Sequence, residues 1–350
     1  MRTRFLFAAV IASLLWALSA SAQETPTTAP TTRPAPTTRR VQLSPNIRPA
    51  APPIARPVEA VKHAIVVSID GLRPDLMLEA DTPNLHSLMQ RGCYSMWART
   101  TPNSITLPSH VSMMTGVNPR RHDIEWNRDF DSVEPLYPRV PTLFEAAKRH
   151  GFTTAVAAGK LKFDMFDRPG VLDWRFIPTK TKCETADVIG PACDIIREHK
   201  PEVMLVHFPS VDNVGHAIGW ATPQQMQAIA DADAAVGKLL GAISEAQMTD
   251  STLLIITADH GGAGQNHGPD DPRSRHIPWI AVGPGIRHHV DMTIYAKLTI
   301  NTEDTFATVC WMMGIPPTLP DLDGVPVKLI LDQKPAEMLR NTLNRPPPAW

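Results

Sequence analysis

The fold is decided by residues 252–260, Thr-Leu-Leu-Ile-Ile-Thr-Ala-Asp-His, where an unbroken apolar run ends at a carboxylate and an imidazole. Residues 63–70, His-Ala-Ile-Val-Val-Ser-Ile-Asp, show the same pattern earlier in the chain. Runs this short, with apolar side chains at consecutive positions, are typical of strands buried on both faces of a parallel sheet. We predict five such strands, at residues 63–69, 153–158, 202–208, 252–257 and 277–282.

Helical patterns lie between these strands. Residues 82–91 and 222–247 both open with Thr-Pro, which favours the start of a helix. Residues 142–150 and 301–313 stop directly before a glycine, which is typical of the end of a helix. Strands that alternate with helices predict an α/β fold, namely a doubly wound, mostly parallel central sheet with helices on both faces.

Polar side chains follow several predicted strands at the point where each strand ends. They are Asp70, Lys160, Asp212, Asp259 and His260. In an open α/β sheet, ligands bind outside the carboxyl ends of the strands, so we expect these side chains to gather at one edge. Carboxylates and imidazoles gathered at one place predict a metal site.

The spacing of Asp212 and His216 adds to this prediction. They are four residues apart in Val-Asp-Asn-Val-Gly-His, so one helical turn or a tight loop would direct both side chains at the same ion. His267, in Asn-His-Gly, follows soon after Asp259 and offers a further imidazole. Taken alone, each of these features also fits a turn, a helix cap or a loop histidine. It is their combination that indicates a site.

The order of these residues along the chain resembles one known family. Asp70 is followed by Thr106 in Thr-Leu-Pro-Ser-His and by Asn127, which comes after Thr-Gly-Val-Asn-Pro-Arg-Arg-His at residues 115–122. The acidic and histidine residues described above then follow. This order is similar to that of the alkaline phosphatase superfamily, in its type I phosphodiesterase/nucleotide pyrophosphatase branch, over roughly residues 62–330. The resemblance implies an alkaline-phosphatase-like catalytic domain.

The resemblance also implies a phosphoesterase with two zinc ions, other divalent metals being alternatives. Asp212, His216 and His267 would hold one ion. The other would be held by Asp70, Asp259 and His260, and the oxygen of Thr106 would fill its remaining position. Thr106 would be the catalytic nucleophile, attacking phosphorus to form a phosphothreonine that water then hydrolyses. Asn127 would donate its amide to a nonbridging phosphoryl oxygen.

Two lysines are expected to bind substrate. Lys160 and Lys162, in Gly-Lys-Leu-Lys-Phe, follow the predicted strand at 153–158 and so emerge at the same edge of the sheet. The pair resembles an arrangement found in some monoesterases of the superfamily. An ammonium group stabilises a monoester dianion more than a diester, so we expect monoesterase activity beside diesterase activity. The alternative is that both lysines are solvated loop residues.

Two positions depart from the family pattern, and a third residue competes for one of the metal-ligand positions. Asp123 stands where the branch usually has glycine, and we expect a left-handed turn there, which aspartate tolerates. Ser109 replaces an asparagine that often follows the proline after the nucleophile, which leaves a hydrogen bond at that position in question. His276 competes with His267 for the last ligand position. We favour His267, because His276 directly precedes a predicted buried strand.

The ends of the chain differ from its middle. Residues 1–22 combine two arginines, an apolar run and Ser-Ala-Ser-Ala, which predicts a secretory signal peptide, with an uncleaved anchor as the alternative. Residues 23–60 contain nine prolines in 38 residues and few large apolar side chains, which is typical of a disordered linker. We expect the catalytic domain at residues 61–335, a proline-rich tail at 336–350, and a secreted or periplasmic location.

Charge and cysteine content narrow the class of protein. The 350 residues carry a net charge of −1, and residues 61–350 hold 27 basic and 33 acidic side chains, a net charge of −6. A dedicated nucleic-acid binder would need a basic excess. An anionic domain that handles phosphate esters needs metal ions to supply a local positive field. The four cysteines leave open a Cys183–Cys193 disulfide or buried free thiols, which we favour, for Cys93, Cys183, Cys193 and Cys310.

Together these observations predict a secreted, metal-dependent phosphoesterase acting on diesters, monoesters or both. Its partner would be a small phosphate-ester substrate, with no nucleic-acid-binding module and no transmembrane span in the mature chain, and its oligomeric state stays open. A sulfatase of the same superfamily would need a cysteine or serine that is converted to formylglycine, and Thr106 does not allow this conversion. Two alternatives remain: a phosphomonoesterase only, and a non-catalytic secreted binding module that keeps the fold.

Overall fold

A computed structural model describes residues 52–128, 136–179, 183–269 and 271–331. The expected signal peptide, the linker as far as residue 51 and the expected tail at 336–350 lie outside the described residues. At the other end of the expected linker, the Ile54 N–H donates to the Gly314 carbonyl at 3.2 Å, and Val58 packs against the hydrophobic core. Contacts with the domain therefore begin before residue 61.

The described residues form one eight-stranded sheet in the order β4-β3-β5-β1-β6-β7-β2-β8. Strands β1, β3, β5 and β6 are buried along almost their whole length, as the unbroken apolar runs predict. The strands are β1 His63–Ile69, β2 Cys93–Arg99, β3 Thr154–Ala158, β4 Trp174–Phe176, β5 Val203–Phe208, β6 Thr252–Thr257, β7 His276–Val282 and β8 Val290–Asp291.

Five neighbouring strands, from β4 to β6, run parallel, which confirms a mostly parallel sheet. The prediction that residues 277–282 form a parallel strand is wrong, because β7 runs antiparallel to β6, with Thr257 opposite Trp279. Parallel neighbours need a crossover that is usually a full helix. Among its described residues, the connection from β6 to β7 contains one four-residue helix and otherwise forms a loop around His260 and His267.

Helices cover both faces of the sheet. In one group α2 and α6 each pack on α8, and α3 and α10 pack together elsewhere, with α10 also touching β1 and β6. The helices are α1 Pro74–Glu79, α2 Pro83–Arg91, α3 Thr106–Thr115, α4 Pro119–His122, α5 Leu143–Arg149, α6 Thr185–His199, α7 Ser210–Ala217, α8 Pro223–Glu245, α9 Pro272–Arg275 and α10 Asp304–Met313. The doubly wound α/β class predicted from the sequence is thus confirmed.

The Thr-Pro pairs start helices by two different means. Thr222 accepts a hydrogen bond from the Gln225 N–H at 3.3 Å, so it caps α8 with its own side chain. Thr82 instead donates its hydroxyl to the Met77 carbonyl at 2.8 Å. The backbone N–H groups at the start of α2 have no partner within the helix and donate instead to Asp233, a buried carboxylate of α8.

All four cysteines are buried free thiols, so Cys183 and Cys193 form no disulfide. Across the ranges that the structure describes, we find no helix with both the length and the apolar character needed to cross a membrane.

Candidate active site

The site lies at the carboxyl ends of β5, β1 and β6, which are direct neighbours in the centre of the sheet. Asp70 follows β1, Asp212 lies in the first turn of α7 after β5, and Asp259 and His260 follow β6. Thr106 is the first residue of α3, so its hydroxyl stands at a helix N-terminus. The chain brings these residues together because parallel strands end at the same edge.

Gly71 lets the carboxylates approach one another. Its φ is +76°, a conformation that side-chain-bearing residues rarely adopt, and an added Cβ would lie 3.0 Å from the Asp212 Cα. Its backbone N–H also donates to the Asp259 Oδ1 at 3.1 Å. The turn after β1 therefore places Asp70 beside Asp212 and at the same time orients Asp259.

Each of the three carboxylates has one oxygen that is hydrogen-bonded and one that is not. The Asp70 Oδ2 accepts from His207 at 2.8 Å and pairs with the Lys160 Nζ at 2.7 Å. The Asp212 Oδ2 accepts from the same ammonium group at 2.6 Å. The buried oxygens without a hydrogen-bond partner are Asp70 Oδ1, Asp212 Oδ1 and Asp259 Oδ2.

The three unbonded oxygens converge on one imidazole nitrogen. The His260 Nε2 lies 3.4 Å from the Asp70 Oδ1 and 3.9 Å from the Asp212 Oδ1. It lies 3.3 Å from the Asp259 Oδ2. The Thr106 Oγ1 is 3.4 Å from the same nitrogen, so the hydroxyl belongs to this cluster.

A second cluster forms around Asp212. The His216 Nε2 lies 3.4 Å from the Asp212 Oδ1, and the His267 Nε2 lies 3.7 Å from it. The two imidazole Nε2 atoms are 3.1 Å apart. The His216 side chain is 44% exposed, whereas that of His260 is fully buried, so the site opens to solvent at His216.

The hydrogen bonds of the three imidazoles show where their protons lie. The Nδ1 atoms of His216, His260 and His267 are 2.8 to 2.9 Å from the backbone carbonyls of Gln265, Gly261 and Ser104. A carbonyl only accepts, so each Nδ1 carries a proton, and in a neutral ring the Nε2 presents a lone pair to the cluster. Lone pairs on nitrogen and oxygen that face one another at these distances repel unless a cation lies between them.

Burial and neighbouring charges shift the pKa values of the acidic and histidine side chains of this site. Burial, together with the negative charge of Asp70, raises the pKa of the Asp259 carboxyl well above its ordinary value. Burial also opposes ionisation of Asp70, but Lys160 and His207 outweigh it and hold the pKa of Asp70 well below the ordinary range. Burial and the neighbouring His260 lower the pKa of His267 to about 4, so its ring is neutral.

The residues present fit a site for divalent metal. Potential ligand atoms within 4.8 Å of one another form two groups that share His260: Asp70, Asp259 and His260, and Asp212, His260 and His267. Oxygen and imidazole nitrogen are the donors that zinc accepts alongside thiolate. His216 and the Thr106 hydroxyl lie beside these groups, so the structure brings together the seven residues expected to hold metal. His276 lies outside, stacked on Trp97 at 4.0 Å.

The expected substrate-binding residues lie beside this cluster with partners of their own. Lys160 bridges Asp70 and Asp212, and these carboxylates raise its pKa against the effect of burial. Lys162 donates to the Asn127 Oδ1 at 3.0 Å, and the Leu107 N–H donates to the same oxygen at 3.2 Å. Because its oxygen accepts both bonds, the Asn127 amide presents its Nδ2 as a donor.

Two positions singled out from the sequence have defined surroundings. Asp123 ends α4 in the left-handed conformation with φ of 65°, as expected from its place in the family pattern. The Ser109 Oγ lies 2.7 Å from the Thr100 Oγ1 and 3.0 Å from the Thr101 Oγ1. Thr100 in turn donates to the Asp259 carbonyl, so Ser109 connects α3 to the loop that carries this carboxylate.

Sequence reasoning missed two buried histidines next to the site. His207 bonds Asp70, and the His110 Nδ1 donates to the Thr106 carbonyl at 2.8 Å. His110 could have been found from Thr-Leu-Pro-Ser-His, because four residues separate it from Thr106 along the helix. His207 lies within an apolar run, and its polar side chain is the one sequence feature that could have indicated a role in the site.

Comparison with known proteins agrees with this geometry. The family model described as type I phosphodiesterase/nucleotide pyrophosphatase matches residues 64–272, which is more than half of the chain. The chain belongs to this family, within the alkaline phosphatase superfamily.

Among curated proteins, the chain is similar to an uncharacterized pyrophosphatase/phosphodiesterase of Schizosaccharomyces pombe. The two are 30% identical over 216 residues, which is 57% of this chain and 44% of the relative. Ectonucleotide pyrophosphatase/phosphodiesterase family member 7 of Mus musculus is 24% identical over 59% of this chain and 51% of its own length. The chain therefore spans about half the length of these relatives.

Among solved structures, murine ectonucleotide pyrophosphatase/phosphodiesterase 5, an inactive variant in complex with AMP, superposes with a TM-score of 0.63. It is 16% identical and covers 74% of this chain and 96% of its own. A 2-O GAG sulfatase superposes with a TM-score of 0.61 at 15% identity, covering 78% of this chain and 75% of its own. At these identities the likeness shows a shared fold.

Proposed function

We propose that the protein is a metal-dependent phosphoesterase that hydrolyses small phosphodiesters, phosphomonoesters or both through a phosphothreonine on Thr106. The observation that carries the proposal is the convergence of three unbonded carboxylate oxygens and three imidazole Nε2 atoms beside the Thr106 hydroxyl. Asp212, His216 and His267 would hold one zinc ion, and Asp70, Asp259 and His260 would hold another. Bound there, the ions would supply Lewis acidity and positive charge for displacement at phosphorus.

Residues of the chain would perform the remaining tasks. The Thr106 oxygen forms a bond to phosphorus as the bond to the leaving group breaks, and the departing alcohol carries away one proton. Water then cleaves the phosphothreonine, releasing phosphate or a monoester and returning a proton to the Thr106 oxygen. The Asn127 amide donates to a nonbridging oxygen of the phosphoryl group, where negative charge develops.

The test compares the zinc-loaded protein with Thr106→Ala on p-nitrophenyl phosphate and bis-p-nitrophenyl phosphate. Thr106→Ala is expected to lower kcat on active esters by at least ~10²–10³-fold, while zinc content is unchanged. Acid-quenched wild-type protein should show a phosphate adduct on the peptide that contains Thr106. Thr115→Ala, at the other end of α3, is the matched control and keeps activity. Activity of Thr106→Ala within tenfold of wild type would refute the proposal.

We also propose that the protein acts outside the cytoplasm. The support is the basic and apolar pattern at residues 1–22, followed by small residues. N-terminal sequencing of the protein recovered from the extracytoplasmic fraction of its own cells should give a chain that begins after Ala22. Recovery of the full-length chain in the cytoplasm would contradict the proposal.

A further inference from the structure

His207 is a fully buried histidine near the carboxyl end of β5, opposite Ser68 of β1. Its Nδ1 lies 3.3 Å from the Gly159 backbone nitrogen, and its Nε2 lies 2.8 Å from the Asp70 Oδ2. A backbone N–H only donates, so Nδ1 accepts and the ring proton is on Nε2. The ring therefore donates this proton to Asp70.

This hydrogen bond fixes the rotation of the Asp70 carboxylate. The Oδ2 accepts a hydrogen bond from His207 and also pairs with the ammonium group of Lys160, whose Nζ is 2.7 Å away. With that oxygen engaged, the Oδ1 is the one that faces the His260 Nε2 at 3.4 Å and has no hydrogen-bond partner. Rotation of the carboxylate about its Cβ–Cγ bond would break both bonds at the Oδ2.

The imidazole of His207 is itself held in place. The Phe163 ring packs against it with centroids 4.3 Å apart, and the His110 ring meets it edge-on at 5.1 Å. The backbone at Gly159 is equally confined, because an added Cβ would lie 2.4 Å from the Pro209 Cγ. Close packing thus fixes both the His207 ring, which donates to Asp70, and the backbone at Gly159, which donates to that ring.

We infer that His207 is a positioning residue, which holds Asp70 with one oxygen turned toward the candidate metal position. His207 needs no contact with substrate or metal for this role. Hydrogen-bond partners of ligating groups fix ligand orientation, and their loss typically lowers metal affinity or activity by about 10–100-fold. The inference rests on the proposed function, since it concerns the same metal site.

The experiment measures zinc affinity by competition with a chromophoric chelator, which needs no turnover. His207→Met fills similar space without a donor, whereas His207→Gln keeps an N–H at similar reach. We expect His207→Met to bind one of two zinc ions about 10–100-fold more weakly and His207→Gln to stay close to wild type. His122→Met is the control, because His122 is equally buried but bonds Ser112 and the Ile124 N–H.

The outcomes separate the two proposals. Absence of zinc binding in the wild-type protein overturns the proposed function. Normal wild-type binding together with unchanged affinity in His207→Met overturns the inference alone, as does equal weakening in His207→Met and His207→Gln. If His207→Met does not fold, ¹⁵N NMR of the wild-type histidines still decides. We expect the Nε2–H tautomer at His207, and an Nδ1–H tautomer would overturn the inference, because no proton would then face Asp70.

Discussion

At the scale of single residues, the two lysines that follow β3 have different surroundings. Lys160 is held between Asp70 and Asp212, whereas Lys162 contacts the Asn127 Oδ1. Asn127 is the residue proposed to bind the phosphoryl group, so Lys162 is the lysine better placed to contact a phosphate. The sequence predicts the same role for both lysines, but in the structure their contacts differ.

We predict that Lys162→Met lowers kcat/KM on p-nitrophenyl phosphate more than on bis-p-nitrophenyl phosphate. A charge-assisted hydrogen bond contributes about 1.5–3 kcal/mol, so the ratio of the two values should fall roughly 10–100-fold. Lys160→Met should reduce both activities together, because it disturbs two carboxylates of the site. Lys148→Met, which loses only its ion pair with Asp173, is the control. An unchanged ratio in Lys162→Met would show that Lys162 does not recognise the monoester dianion.

Residues at strand ends were the predictable part of the site. Asp70, Asp259 and His260 follow apolar runs at once and Asp212 lies four residues after one, and sheet geometry alone brings such positions together. His207 was not predictable in this way, because its role depends on a neighbour 137 positions away in the sequence. The ion pairs of Lys160 depend likewise on side-chain conformations that strand patterns do not specify.

At the scale of secondary-structure elements, α2 and α8 are joined by one buried carboxylate. Asp233 of α8 accepts from the Leu85 N–H at 2.7 Å and from the Asn84 N–H at 3.1 Å. It also accepts from the Asn84 Nδ2 at 2.8 Å. A carboxylate beside a helix N-terminus is further stabilised by the helix dipole. Asp233 therefore caps a helix to which it does not belong.

We predict that Asp233→Ala lowers the free energy of unfolding by about 2–4 kcal/mol, because one buried and one partly buried N–H group lose their acceptor. Zinc affinity should not change, since α2 and α8 supply no residue of the site. Urea unfolding followed by circular dichroism measures the effect. Asp231→Ala, at an exposed position of the same helix with Gln227 as its hydrogen-bond donor, should stay within about 0.5 kcal/mol of wild type. Equal stability of the two variants would contradict the capping role.

Two strands, β7 and β2, have features that the sequence pattern did not predict. β7 is buried on both faces like the parallel strands of the sheet, so its apolar run does not reveal its antiparallel direction. β2 alternates buried and partly exposed residues and contains a register shift between Ser95 and Ala98. That pattern is weaker than an unbroken apolar run, and the strand was not predicted.

At the scale of the whole molecule, the order of the strands assembles the site. β5, β1 and β6 are far apart in sequence but adjacent in the sheet, so each contributes its carboxylate to one cluster. The chain also excludes water from most of the cluster, since Asp70, Asp259 and His260 are fully buried. Lys160 compensates part of this buried negative charge, and any further cation that binds the folded site would stabilise the fold.

Acid stability provides the last prediction for the whole molecule. Burial lowers the pKa of His122 to about 3, so its ring stays neutral in the folded protein well below the ordinary pKa of 6.5. The unfolded chain takes up a proton at this residue below about pH 6.5, whereas the folded protein does so only near pH 3. The free energy of unfolding therefore falls as the pH decreases through this range, by at most about 1.4 kcal/mol per pH unit from this group.

His122→Gln removes this titration and should flatten the dependence of stability on pH between about pH 6 and 4 by up to that slope. Urea unfolding at several pH values, with chelator present so that metal binding does not contribute, measures the change. His288→Gln, at an exposed position, is the matched control and should keep the wild-type slope. A His122→Gln protein with the same slope as wild type would mean that His122 takes up its proton in the folded state, and so that its burial does not keep the ring neutral.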